Sequence, residues 1–240
     1  MRVTPEEIAA YVYCPMLLQK NRTSIVSPKL SFAEKGIRQA FIEGERNACL
    51  KDSIVDTRKL LRIWEKIWWP LASANKINLK DAAAISLKAS SKFADYCKYD
   101  ISDWGFPTAG VDIYSDVGLG PVIMRAHADI IKVDLDHKNP STVIINFNTR
   151  KLSLMTAALD PAVLATAYAF YKGGEDITHI SINISEQQDK LSMITSAIRP
   201  SDILKIEKML THVARGIRNK NYYSNPFLCK ECKVCRDFIL

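Results

Sequence analysis

Residues 121–149, PVIMRAHADIIKVDLDHKNPSTVIINFNT, decide the fold class. Two β-rich runs, at about 121–134 and 142–149, flank His137-Lys138-Asn139-Pro140, which has the residue types of a turn. Upstream lies a further run at about 108–115, set off by Gly118-Leu119-Gly120-Pro121. Downstream, a helical stretch at about 160–172 precedes another β-rich run at 177–184. Strand, helix and strand in that order imply a crossover connection beside the hairpin-like pair. The expectation is therefore an α/β fold with a central mixed sheet flanked by helices.

The first third of the chain reads as helical. Thr4-Pro5-Glu6-Glu7 is a helix start, with Thr4 as N-cap, Pro5 in the first turn and Glu7 closing a capping box. That helix ends near Cys14-Pro15. Ser31 and Glu34 form a second capping box, opening a helix to about Asn47 whose inward face is read as Phe32, Ile37, Phe41 and Ile42. Two more helical stretches follow at about 53–68 and 77–97; Trp64, Trp68 and Trp69 on the first are read as core or interface packing, with base stacking as the alternative. Pro200-Ser201 opens a last amphipathic helix to about Arg218.

A chain of 240 residues with 48% hydrophobic and 25% charged residues can bury a core as one domain over 1–240, with a helical region at 31–105 and a sheet core at 106–218. It contains no apolar run of membrane-spanning length, and its start lacks the order of a signal peptide. The expected location is the cytoplasm, with no membrane partner. A net charge of +7 and a pI near 9.0 favour polyanionic partners.

Six cysteines in that compartment do not read as a disulfide framework. Cys49 and Cys97 stand alone in helical stretches, as buried small hydrophobes do. Cys229, Cys232 and Cys235 form C-x2-C-x2-C near the end of the chain, and Cys14 lies beside a helix-ending proline. Two-residue gaps aim successive thiolates at one point, and a tetrahedral zinc or a cubane cluster takes a fourth ligand. Segments 1–30 and 219–240 would together form that centre. Spacing alone does not separate zinc from iron, nor either from a tail whose thiols bind nothing.

At several points the sequence resembles the RecB-like nucleases, the PD-(D/E)XK superfamily. The similarity is nearest to the CRISPR-associated exonuclease family and its viral and archaeal relatives, which clamp a 4Fe-4S cluster between one early and three late cysteines. The resemblance implies the nuclease fold and a cluster on Cys14, Cys229, Cys232 and Cys235. It also implies a DNA partner, single-stranded or forked, and a protein partner in CRISPR adaptation or DNA repair. Mg or Mn would be required only if the chain cleaves.

The resemblance is damaged where cleavage chemistry would sit. Those nucleases hold divalent ions on carboxylates of two adjacent strands, with a lysine near the phosphate. Where the family carries G-x-x-x-H, Gly36-Ile37-Arg38-Gln39-Ala40 ends in alanine. Ala126-His127-Ala128-Asp129 keeps the aspartate, but Ile145-Asn146-Phe147-Asn148-Thr149 has asparagine at both positions of acid-x-lysine. Leu164-Ala165-Thr166-Ala167-Tyr168 keeps only the tyrosine of Q-x-x-x-Y. No Asp or Glu lies between His137 and Leu159 to replace the missing acid. Strand alternation puts Asn146, Asn148 and Arg150 on one face, so Arg150 could replace the lysine's charge. His127, two residues from Asp129, is either a substitute metal ligand or a structural hydrogen-bonder. Asp129 is a retained metal ligand or a relic, and Tyr168 is either core or functional.

The sequence is compatible with three functions: a DNA-binding, cleavage-impaired relative of the CRISPR-associated exonuclease; an active exonuclease using Asp129, His127 and an acid such as Asp112 or Glu45; and a zinc-stapled interaction module. The basic residues Arg215, Arg218, Lys220, Lys230, Lys233 and Arg236 form either a charged rim beside the cysteines or a solvated helix end.

Overall fold

The computed structural model describes residues 2–19, 29–50, 54–99, 105–117, 122–134, 141–149 and 159–222. Among these described residues six strands, β1 (Arg2–Val3), β2 (Gly105–Asp116), β3 (Ile123–Asp134), β4 (Ser141–Asn148), β5 (Ile177–Asn183) and β6 (Ser192–Ile198), form one mixed sheet. β4 and β5 are parallel neighbours, joined through the crossover helix α6 (Pro161–Phe170). β2 pairs antiparallel along β3, β3 along β4, and β6 along β5. β6 has no counterpart in the sequence reading.

Helices cover both faces of the sheet. On one side α1 (Pro5–Tyr13), α6 and α7 (Pro200–Arg218) enclose Met124, Ala126, Ala128 and Ile144. On the other, α3 (Phe32–Leu50), α4 (Thr57–Ala74) and α5 (Leu79–Tyr96) enclose Ile130, Ile145, Phe147, Ile180 and Ile182. A short α2 (Pro15–Gln19) follows α1. Both expected capping boxes form: Thr4 Oγ1 accepts from Glu7 N–H at 3.3 Å, and Ser31 Oγ accepts from Glu34 N–H at 3.1 Å.

The second core is aromatic and fixes α3 on the sheet. Phe41 stacks on Phe147 of β4 with centroids 4.8 Å apart and planes 4° apart, and also meets Phe93 and Tyr96 of α5. Trp64 and Trp68 are fully buried and stacked, with their indole N–H groups donating to Ser86 Oγ and the Ala82 carbonyl. Trp69 is 41% exposed. Gly36 lies where α3 meets α4: a Cβ there would stand 2.9 Å from the Trp64 ring, so the close approach of the two helices requires glycine.

Several local expectations are corrected. Phe32 is exposed rather than inward; at the first turn of α3 it lies outside the core, with the Lys35 ammonium over its ring. Cys49 is exposed and Cys97 only half-buried, since both stand at helix ends. The α4 helix runs through Pro70 to Ala74, with the proline on its exposed side.

Candidate functional site

The strand pair singled out in the sequence forks, and the fork builds a polar site. β2 covers one edge of β3 along nearly its whole length. On the opposite edge β1 pairs with Ile123 and Met124, and β4 with Ile130 to Asp134. Residues 125–129 form a notch between them. Beyond Ile145, β4 leaves β3 and continues beside β5 to Asn148.

Asp129 stands at the corner of the notch, where side chains replace the backbone ladder. Its N–H donates to Asn146 Oδ1 at 3.0 Å, and its Oδ2 accepts from Phe147 N–H at 2.7 Å. Across from it on β2, between the pairs Val111↔Ala128 and Ala109↔Ile130, lies Gly110 with φ +67°. At Asp129 β3 also changes sides: Ala128 feeds the core beneath α1 and Ile130 the core beneath α3.

The remaining carboxylate oxygen is filled from α3. Because Phe41 seats α3 on Phe147, Arg38, one turn earlier, reaches Asp129. Arg38 Nε donates to Asp129 Oδ1 at 2.7 Å, and Nη2 donates to the same oxygen. His127 Nε2 lies 3.2 Å from that oxygen, and His127 Nδ1 lies 2.8 Å from Asp112 Oδ1. Arg125 Nη2 closes the chain on Asp112 Oδ2 at 2.7 Å. Asp129 is 2% exposed, whereas Arg38, His127 and Arg125 are 32%, 42% and 54% exposed.

These contacts set the ionisation of the cluster. Burial by itself would push the Asp129 carboxyl up; the bonds from His127 and Arg38 outweigh it and hold the group below the usual carboxylate range. The bond to Asp129 raises the pKa of His127 against its burial, and the Asp112 bond adds to this. Arg125 and then His127 lower Asp112.

A divalent ion in an oxygen site needs carboxylate or carbonyl oxygens free to converge on it. Here both oxygens of Asp129 and both of Asp112 are engaged, and Asn146 Oδ1 accepts a backbone N–H. Among the described residues no group of three or more His, Cys, Asp or Glu side chains is disposed to hold a metal ion. The arrangement at Asp129 does not fit a divalent ion; the Arg38 guanidinium supplies the positive charge there.

The other expected residues are dispersed. Tyr168 Oη is 3.4 Å from Glu207 of α7, and its pKa is raised by burial and by that carboxylate. Glu45 is buried with Lys132 Nζ at 2.9 Å and accepts from the Tyr96 hydroxyl, so it is committed to α3, α5 and β3. Arg150, Cys229, Cys232 and Cys235 lie outside the described residues. Cys14 is 1% exposed, at the end of α1 among Ala9, Ala10, Tyr13, Met16 and Ala162.

Two site residues escaped the sequence reading. Arg38 sits within the pentapeptide Gly36–Ala40, three positions before the buried Phe41, and that spacing was its available signal. His179 of β5 is buried, with Nε2 3.4 Å from Asn146 Nδ2 and, among the described residues, no hydrogen-bond partner for Nδ1; burial pushes its pKa down to about 4. Among the described residues no helix is long and apolar enough to cross a membrane.

No protein-family model matches the chain, and no curated protein matches it. A solved structure described as "Crystal structure of SSO0001" aligns over 99% of this chain and 85% of its own, at 11% identity and a TM-score of 0.38. What the chain is known to be is an α/β protein whose mixed sheet forks at an ion-paired aspartate.

Proposed function

We propose that the chain is a DNA-binding protein of the RecB-like nuclease fold that has lost metal-dependent cleavage and carries an iron–sulfur cluster on Cys14, Cys229, Cys232 and Cys235. The observation that supports the loss of cleavage is the Arg38–Asp129 pair. An arginine on α3 donates twice to the one aspartate kept from the expected acid set, and the neighbouring strand offers Asn146 in place of a carboxylate. The cationic role that an ion would play at this corner falls to a side chain.

Support for the cluster comes from the contact of α1 with Asn221 and Tyr222. Tyr11 of α1 donates its hydroxyl to the Asn221 carbonyl at 2.9 Å, and its ring meets Tyr222 edge-on at 6.2 Å. Tyr222 thus lies beside the helix that Cys14 terminates. The seven residues from Tyr222 to Cys229, at roughly 3.3–3.6 Å each when extended, are long enough to return to Cys14. In the cell, the protein would hold single-stranded or forked DNA for an active partner in CRISPR adaptation or DNA repair.

Purification without oxygen tests this reading. The expected product is brown, absorbs near 400 nm, contains iron and inorganic sulfide, and loses both in Cys14→Ser and Cys232→Ser. It should retain a labelled single-stranded oligonucleotide without shortening it. Colourless protein with stoichiometric zinc that ignores DNA would replace this reading with the zinc-stapled module.

A further inference from the structure

The face of β2 and β3 that carries His127 also carries an exposed aromatic ring, and the two together make a strip with a definite chemistry. Cross-strand partners share a face of a sheet, so Asp112↔His127 and Tyr114↔Arg125 place all four side chains on one side. Tyr114 is 55% exposed, and the Arg2 guanidinium from β1 lies over its ring at 5.9 Å. Arg2, Tyr114, Arg125, His127 and Arg38 therefore follow one another from β1 to α3, with Asp129 buried at the inner end.

The cations have donors to spare. Arg38 gives two of its five N–H groups to Asp129, and Arg125 gives one to Asp112. Each carboxylate fixes the orientation of a guanidinium whose outer edge remains exposed. An arginine held in this way meets a phosphate with little further loss of side-chain freedom. An aromatic ring beside such a cation, as Tyr114 is beside Arg125, offers a base a stacking platform that is indifferent to sequence.

We propose that this strip is a metal-independent binding site for single-stranded DNA, with one base stacked on Tyr114 and the adjoining phosphates on Arg125 and Arg38. The proposal rests on the DNA-binding reading above and adds the place and the mode of contact. The carboxylates Asp112 and Asp129 act as positioning residues for the arginines.

The test is fluorescence anisotropy of a labelled oligo-dT of about twenty nucleotides on the intact chain in EDTA, at several salt concentrations. Tyr114→Ala is expected to weaken binding roughly tenfold, with Tyr114→Phe retaining it. Arg125→Ala is expected to weaken binding and to reduce the salt slope by about one. Both side chains are exposed, so melting temperatures should stay unchanged and confirm that the variants fold. If the intact chain binds in EDTA while both alanine variants bind equally well, this site is wrong and the DNA-binding reading survives. Binding that appears only with added Mg²⁺ or Mn²⁺ overturns the metal-independent site. No binding under any condition overturns both readings.

Discussion

Arg38 and Asp129 lie 91 residues apart in the chain and meet at the fork of β3 and β4, where Arg38 Nε donates to Asp129 Oδ1 at 2.7 Å. The partners are unequal: the carboxylate is 2% exposed and the guanidinium 32%. Removing the arginine leaves a buried carboxylate short of its strongest counter-charge. Arg38→Ala should cost about 2–3 kcal/mol in urea unfolding, at the lower end for a broken buried pair because the arginine is partly solvated. Arg38→Lys should recover less than half, since lysine lacks the fork that delivers two N–H groups to one oxygen. A cycle with Asp129→Asn should return a coupling above about 1 kcal/mol; additive losses would mean the pair is not a unit.

His179 gives the fold an acid limit. Its pKa is about 4 in the folded chain against an ordinary 6.5, because burial disfavours the imidazolium. Well above pH 6.5 the residue is neutral in both states and contributes no pH dependence. As pH falls below 6.5 the unfolded chain takes up the proton first, so stability drops until the folded residue titrates near 4. The full loss is about 3 kcal/mol. Unfolding measured between pH 7 and 4 should show this slope, and His179→Leu should flatten it; an unchanged slope would place the acid sensitivity elsewhere.

The Glu45, Lys132 and Tyr96 trio is fully buried and ties α3 and α5 to β3. Lys132→Met alone should cost about 3–5 kcal/mol, because it strands the Glu45 carboxylate. The double change with Glu45→Leu should recover more than half of this, since a matched apolar pair no longer desolvates a charge. Tyr96→Phe should cost about 1–2 kcal/mol through the lost bond. Thermal melts of the three variants are sufficient, and a double variant worse than Lys132→Met would contradict the argument.

Gly110 has open space around the place where a Cβ would go, so the cost of Gly110→Ala comes from its φ of +67°. About 1 kcal/mol is expected, and Gly110→Asn, which tolerates left-handed backbone better, should lose less. Equal losses would point to something other than backbone conformation.

The sequence made much of this fold legible because its strongest signals are local. The capping boxes at Thr4 and Ser31, the β-α-β order around α6 and the last helix at 200–218 follow from residue types a few positions apart. β6 went unread because SMITSAI alternates weakly: of its seven residues Ser196 and Ile198 alone are buried, both toward its end, as on an edge strand. The site was half legible. Parity alone put His127 with Asp129, but Asp112's approach to His127 depends on the register of β2, and Arg38's approach on the seating of α3 by Phe41 and Phe147. Such contacts are set by packing between distant segments, which no local pattern encodes.

The central claim is that the Asp129 corner binds without cutting. Its most direct test is to incubate the anaerobically purified chain with end-labelled single-stranded and forked DNA in Mg²⁺ and in Mn²⁺, and to resolve the products on a denaturing gel. The account expects full-length DNA at every time point, identical for the intact chain and Asp129→Ala. Ion-dependent shortening by the intact chain that vanishes in Asp129→Ala would contradict it, because Asp129 would then release Arg38 to hold a metal.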